Sequence, residues 1–164
     1  MQQIIVIPAR MKGTRLPGKP LMQILGKSIL RRVWDRCQQV HPAEQIFVAT
    51  EDIEIKNHCE EIGINCIVTG KANTAIDRIK LFSDDIKADA YINVQGDEPL
   101  INPKDILTVL KYNQKYPFRV VFGKASANRD EFQDVSKAKV VCDLNGKLLY
   151  SSRAGIPINN QGSF

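Results

Sequence analysis

Residues 3–21 read QIIVIPARMKGTRLPGKPL, an apolar run that passes directly into a loop rich in cations, glycine and proline. The predicted strand, residues 3–7, is apolar and β-branched without interruption from Ile4 to Ile7, which is typical of a strand that is covered on both faces. Parallel sheets bury both of their faces beneath helices. The stretch therefore favours an α/β fold with a ligand-binding loop after the first strand.

Strand and helix patterns alternate along the chain that follows. Three more strands are predicted at 45–50, 64–68 and 88–94. The predicted helices lie at 28–40, capped by Ser28, at 52–62, closed by Gly63, at 74–82, and at 103–112, entered at Asn102. Four such βα units predict a Rossmann-like, mostly parallel sheet.

The pattern changes after residue 119, where short apolar runs lie at 120–122, 138–142 and 148–150. The turn at 143–146 separates the last two runs and predicts a hairpin. We therefore expect the parallel sheet to end in a mixed C-terminal edge.

The composition indicates one globular domain over residues 1–164, with 43% hydrophobic and 25% charged residues. Disordered, collagen-like and disulfide-stapled chains are excluded. The apolar runs are far shorter than the roughly 20 residues of a membrane span, and no signal peptide is visible, so we expect a cytoplasmic protein without a membrane partner. The four cysteines have no metal-binding spacing with either histidine and are interpreted as small buried hydrophobes.

The positive charge is concentrated in the first 40 residues, which hold eight Lys and Arg residues against one acid, Asp35. Such a local excess indicates either a polyphosphate ligand or a nucleic-acid surface. Because no nucleic-acid-binding motif is present, we favour the polyphosphate and expect no nucleic-acid partner.

The loop at 8–21, here called the cationic loop, carries four cations and no acid: Arg10, Lys12, Arg15 and Lys19. Its small residues let backbone N–H groups approach an anion, and its cations supply charge-assisted hydrogen bonds. It is not a P-loop, because Pro20 follows Lys19 where a serine or threonine is required. A solvated basic loop is the alternative, but the end of a parallel strand is where such sheets bind ligands.

A second loop, NVQGDEP at 93–99, follows the fourth predicted strand. Asp97 comes after a glycine whose conformational freedom lets the carboxylate project into the cleft. Beside a polyphosphate, that carboxylate would hold Mg²⁺, which proteins bind through one or two carboxylates together with substrate phosphates. The alternative is an ordinary turn acid that caps the helix at Asn102 or pairs with Lys104.

Residues 7–21 and 93–99 resemble the signatures of the CMP-Kdo synthetases, the 3-deoxy-manno-octulosonate cytidylyltransferases, which are related to the acylneuraminate cytidylyltransferases. Residues 139–143 and 150–157 are similar to later parts of the same family. The resemblance implies the nucleotide-diphospho-sugar transferase fold. It also implies transfer of CMP from CTP to a 2-keto-3-deoxy sugar acid, with Mg²⁺ and release of pyrophosphate, for lipopolysaccharide and related cell-surface polysaccharides.

The resemblance also implies roles for particular residues. Those implied in catalysis are Arg10, Lys19 and Asp97, with Asp97 as the metal ligand. Those implied in nucleotide binding are Ala9, Arg10, Arg15, Lys19, Asp77, Arg78 and Gln95. The expected partners are CTP, or another nucleoside triphosphate, an acidic sugar and a second copy of the chain in a homodimer.

The sequence departs from the family pattern in residues 74–78, which read TAIDR where the family has Ser-Gly-Thr-Asp/Glu-Arg. Only Asp77 and Arg78 match, which leaves a different nucleotide or sugar open. Gly13 also stands where the family commonly has serine. The sequence is shorter than the family members, so we expect a truncated or shortened relative. A non-catalytic nucleotide-binding or regulatory module therefore remains an alternative.

Overall fold

The computed structural model describes residues 1–13 and 16–156. The chain divides into two compact units, Met1–Val121 and a second unit that begins at Phe122. A single domain over 1–164 stays a prediction. No described helix has the length and apolar character needed to cross a membrane.

Among its described residues, the first unit contains six strands and four α-helices. The strands are β1 Gln3–Pro8, β2 Gln23–Ile24, β3 Lys27–Ser28, β4 Ile46–Thr50, β5 Cys66–Val68 and β6 Ala90–Asn93. The helices are α1 Ile29–Gln38, α2 Ile53–Glu61, α3 Ala75–Asp85 and α4 Pro103–Lys115. The sequence predicted all of these except the short β2–β3 hairpin.

Four of the strands form a parallel sheet in the order β5-β4-β1-β6. From β1 the chain adds β4 and then β5 on one side, and it returns across the sheet to place β6 on the other side. The strand order therefore reverses between β1 and β6. Ligands bind outside the carboxyl ends of the strands at such a reversal, so the loops that follow β1 and β6 are brought to the expected place. The α/β prediction is confirmed.

The core lies on both faces of β1, because successive side chains of a strand point to opposite sides. Ile5 and Ile7 pack with buried residues of α1, α2 and α4. Ile4 and Val6 pack on the other face with Phe82 of α3. All four isoleucine and valine side chains of β1 are buried, as the uninterrupted apolar run predicted.

The helix starts follow the capping residues that the sequence indicated. Ser28 Oγ accepts a hydrogen bond from Arg31 N at 3.1 Å, and Asn102 Oδ1 accepts one from Lys104 N at 3.0 Å. Gly63 ends α2 with a φ of 67°, a left-handed conformation that favours glycine.

The second unit contains helix α5 Arg129–Gln133 and strands β7 Lys139–Cys142 and β8 Leu148–Ser152. The predicted hairpin is confirmed. In its turn, Asp143 Oδ1 accepts hydrogen bonds from Asn145 N at 2.9 Å and Lys147 N at 2.8 Å. Within the described residues, however, β7 and β8 form a two-stranded sheet of their own, so the expected mixed edge of the parallel sheet is not found.

The apolar run at 120–122, which the expected mixed edge included, forms no strand. Val120 and Phe122 are exposed. A strand needs a neighbour that pairs with its backbone N–H and C=O groups, and no described strand pairs with this run. Hydrophobic pattern alone therefore overestimated the number of strands here.

Candidate functional site

A cavity of about 510 Å³ lies at the carboxyl ends of β1 and β6. Six residues that the sequence analysis selected line it: Ala9, Arg10, Lys19, Arg78, Gln95 and Asp97. Asp77 does not line the cavity, and Arg15 lies outside the described residues, as does the end of the later motif at residue 157. The tertiary structure thus brings together residues that are far apart in the sequence.

The cationic loop forms one wall of the cavity and closes on Met11. The Met11 carbonyl accepts hydrogen bonds from Gly13 N at 3.1 Å and from Gly18 N at 2.8 Å. Gly18 has a φ of 71°, so the turn there favours glycine. Met11 N in turn donates to Asp52 Oδ2 at 2.8 Å, which ties the loop to the start of α2.

The second loop runs directly beside the end of β1. Val94 N donates to Val6 O at 3.1 Å, and a β-carbon added to Gly96 would lie 2.8 Å from Pro8 O. We expected Gly96 to be needed for unusual backbone angles, but it is not among the glycines with positive φ. The expected reason was wrong: this glycine is needed because the two backbones approach closely.

We predict that Gly96→Ala lowers the free energy of unfolding by about 1–3 kcal/mol, because the new methyl group meets a backbone oxygen in a packed region. Urea denaturation measures the change. Gly123→Ala is the matched control, since nothing lies within 4 Å of a β-carbon there, and its effect should stay within about 0.5 kcal/mol. Equal effects of the two substitutions would contradict the close approach.

An ion pair connects the two loops at the cavity. Lys19 Nζ donates to Asp97 Oδ2 at 2.9 Å, and the two side chains are 36% and 53% exposed. Asp97 therefore pairs with Lys19 rather than with Lys104. An exposed pair of this kind is worth only about 0–1 kcal/mol, so a ligand that offers both partners better contacts can displace it.

The start of α3 and the segment before it form another wall, with Ala72, Thr74 and Ala75 lining the cavity. Thr74 and Asp77 form a capping box: Thr74 Oγ1 accepts from Asp77 N at 3.1 Å, and Asp77 Oδ2 accepts from Thr74 N at 3.0 Å. The structure therefore uses Asp77 to begin a helix, which explains why an acid suits this position without contact to the cavity.

Arg78 is 3% exposed and nevertheless lines the cavity. Its Nη1 donates to Thr69 Oγ1 at 2.7 Å, and its Nη2 lies 3.3 Å from Glu51 Oε2. An arginine side chain carries five N–H donors in a planar fork. A buried guanidinium at this wall can therefore hold a phosphate or a base oxygen with donors that the protein contacts do not use.

Lys12, which the sequence placed in the cationic loop without a role of its own, also lines the cavity. Glu51 and Asp52, which hold its walls, were not predicted as site residues. Lys12 belongs to the same cation-rich loop as the selected residues, so the charge pattern contained its signal. Glu51 and Asp52 directly follow the buried strand β4, and Asp97 likewise lies in the loop that follows β6. Searching every strand end for acids would have found them.

Two of the four cysteines are buried as expected, whereas Cys66 and Cys142 are only half-buried. Cys37 and Cys59 are fully buried, and burial raises the pKa of the Cys37 thiol to about 12. His41 Nε2 lies 2.9 Å from Gln3 O, and His58 Nε2 lies 2.8 Å from Ser28 Oγ. No group of three or more His, Cys, Asp or Glu side chains within the described ranges could hold a metal ion.

Comparisons with known proteins agree with this geometry. Residues 4–163 match the family model described as cytidylyltransferase. The chain is 37% identical to the 3-deoxy-manno-octulosonate cytidylyltransferase of Escherichia coli, covering 94% of this chain and 63% of that protein. It is 36% identical to the mitochondrial 3-deoxy-manno-octulosonate cytidylyltransferase of Arabidopsis thaliana, covering 96% and 56%.

A solved structure of a CMP:2-keto-3-deoxy-manno-octonic acid synthetase complexed with CTP is similar to this chain with a TM-score of 0.87 and 33% identity. The match covers 98% of this chain and 67% of that one. A cytidylyltransferase from Leptospira borgpetersenii matches with a TM-score of 0.63 and 27% identity over 71% of this chain and 50% of that one. The chain thus spans roughly three-fifths of the length of the two curated relatives above, with 63% and 56% of each covered.

Proposed function

The chain belongs to the cytidylyltransferase family, and on that premise we propose that it transfers CMP from CTP to a 2-keto-3-deoxy sugar acid of the Kdo type, with release of pyrophosphate. The observation that carries the proposal is that Arg10, Lys19, Arg78 and Asp97 all line the same cavity. Together with Lys12, they place four cations and one carboxylate around a space that suits a nucleoside triphosphate.

The proposed reaction needs positioning and charge neutralisation more than it needs a protein nucleophile. The anomeric hydroxyl oxygen of the sugar forms a bond to the α-phosphorus, and the bond from that phosphorus to the bridging oxygen breaks. Pyrophosphate leaves with the electron pair, and the hydroxyl proton passes to water. Arg10 and Lys19 would neutralise the charge that develops on the phosphate oxygens.

The residues present fit a divalent cation. Asp97 offers hard carboxylate oxygens at the cavity, and magnesium sites commonly consist of one or two carboxylates with substrate phosphates supplying further ligands. We propose that Asp97 holds this ion and that the ion is Mg²⁺. When bound, it would supply charge neutralisation at the phosphates.

Binding of the metal and the nucleotide would exchange the Lys19–Asp97 ion pair for two stronger contacts. Lys19 would turn to a phosphate, and Asp97 would turn to the cation. In the free protein, Lys19 Nζ and Asp97 Oδ2 lie 2.9 Å apart and join the two loops. A bound metal–nucleotide complex would separate these two atoms.

Pyrophosphate release with Mg²⁺ tests the proposal, with CTP, UTP, GTP and ATP each crossed with Kdo and a sialic acid. We expect release with CTP and Kdo alone. Release with another pair would keep the reaction and change the substrate, and Ala75 in the cavity wall, where the family pattern has glycine, would be the first residue to examine. Binding of nucleotide without release by any pair would favour the non-catalytic module.

The homodimer and the cytoplasmic location also belong to this proposal. Sedimentation of the purified protein and fractionation of the cells that express it would test them. A monomer at micromolar concentration would contradict the expected dimer.

A further inference from the structure

The turn after β4 contacts both walls of the cavity through two consecutive acids. We propose that Glu51 and Asp52 are positioning residues of the nucleotide site: Asp52 holds the cationic loop, and Glu51 holds Arg78. The inference rests on the proposed function, because it assigns these residues to the same site.

Asp52 is placed to cap α2 but does not do so. It occupies the N-cap position in an extended conformation without a side-chain hydrogen bond to the helix. Its Oδ2 instead accepts from Met11 N at 2.8 Å, while its own N–H donates to Thr50 Oγ1 at 3.1 Å. The carboxylate is therefore diverted from a favourable cap to the loop, and α2 forgoes that contact.

The hydrogen bond from Met11 N to Asp52 is made at the residue on which the cationic loop closes. Met11 is the residue whose carbonyl accepts from both Gly13 N and Gly18 N, so it is the point on which the loop closes. A hydrogen bond that fixes Met11 fixes the backbone that carries Arg10 and Lys12 on either side. Asp52 itself does not line the cavity.

Glu51 acts through Arg78 in the wall formed by α3. Glu51 Oε2 is buried, lies 3.3 Å from Arg78 Nη2 and accepts no hydrogen bond from any described residue. A guanidinium is always charged, and burial requires a countercharge nearby. Glu51 therefore orients Arg78 by charge while leaving its remaining N–H donors available to a ligand.

Removal of Glu51 or Asp52 should change ligand affinity in opposite directions, depending on whether these acids position other groups or only add negative charge. A negative charge close to a polyphosphate site repels the ligand, so removing it without other consequences would tighten binding. If Glu51 and Asp52 position the cationic groups, removing their contacts weakens binding instead. A positioning role therefore predicts the opposite result from simple charge removal.

The first measurement needs no ligand. Amide exchange of Met11 and Gly18, followed by NMR, should accelerate by at least about tenfold in Asp52→Ala, because the anchoring hydrogen bond is lost. Asp52→Asn keeps an acceptor oxygen and should stay within about threefold of wild type. Glu61→Gln, an exposed acid at the other end of α2, is the matched control and should not change the exchange. Unchanged exchange in Asp52→Ala would overturn the anchoring.

The second measurement is CTP affinity with Mg²⁺ by calorimetry. We expect Asp52→Ala and Glu51→Gln each to weaken CTP binding about tenfold, which is a loss of about 1.4 kcal/mol of binding free energy. In an Arg78→Met background, Glu51→Gln should change the affinity by less than about twofold, because its effect passes through Arg78. Thermal unfolding of each variant identifies any that fail to fold.

The outcomes separate this inference from the proposed function. Wild-type protein that binds CTP, together with variants that bind it equally well or more tightly, would overturn the positioning roles. Wild-type protein that binds no nucleotide would overturn the proposed function. The exchange of Met11 and Gly18 would then still support or refute the anchoring by Asp52.

Discussion

Replacing Asp97 by asparagine is expected to lower the rate of pyrophosphate release by about 10³-fold, because the proposed metal loses its carboxylate ligand. Asparagine has nearly the same shape, so the fold should be unchanged. The substitution also removes the partner of Lys19, which is 2.9 Å away in the free protein. Lys19 is then available to phosphate, so CTP binding without metal should be unchanged or tighter.

Two measurements check this prediction: steady-state pyrophosphate release with Mg²⁺, and CTP affinity in the presence of a chelator. Glu98→Gln is the matched control, since Glu98 is the adjacent exposed acid and does not line the cavity. Its rate should stay within about twofold of wild type. Asp97→Asn with turnover within tenfold of wild type would show that the metal assignment is wrong.

The largest expected loss of stability follows from Phe82→Ala, which should lower the free energy of unfolding by about 3–5 kcal/mol. Phe82 is fully buried on α3 and packs with Ile4 and Val6 of β1. Its ring centroid lies 5.5 Å from that of Phe47 and 6.1 Å from that of Tyr91. Removal of the ring leaves a cavity between helix and sheet that these neighbours cannot fill.

Guanidinium denaturation followed by circular dichroism measures this change. Phe118→Ala deletes the same ring where it is fully exposed, at 102% relative exposure, and should change stability by less than about 0.5 kcal/mol. Because α3 also carries Arg78, the destabilised Phe82 variant should bind nucleotide more weakly even below its unfolding transition. A loss below about 1 kcal/mol would mean that α3 does not depend on this ring for its attachment to the sheet.

Much of the fold could be predicted because its determinants are local. A β-branched run identifies β1, apolar residues at helical spacing identify α1, and Ser28 and Asn102 cap their helices as their side-chain chemistry predicts. The run at 120–122 has the same local character as a strand and yet forms none. Pairing with a neighbouring strand is not encoded in three residues.

Some features of the candidate site could likewise be predicted from the sequence, and others could not. The cationic loop and Asp97 could be selected from residue type and from their place after a strand. The tight packing of Gly96 could not, since it depends on where the end of β1 lies. The capping role of Asp77 is local, because Thr74 lies only three residues before it, but the family motif drew attention to ligand binding instead. Asp77 matches a family motif in the sequence, but in the structure its carboxylate is occupied by Thr74.

The sequence by itself determined the α/β class, the loops at 8–21 and 93–99 as the ligand-binding region and the resemblance to the cytidylyltransferases, because periodicity, capping and motif chemistry act over a few residues. Only the tertiary structure decided that Lys19 meets Asp97, that Glu51 meets Arg78 and that Asp52 holds Met11. These pairs join residues from separate loops and helices. They meet because the four strands run parallel, which places their carboxyl ends and the loops that follow them at one edge of the sheet.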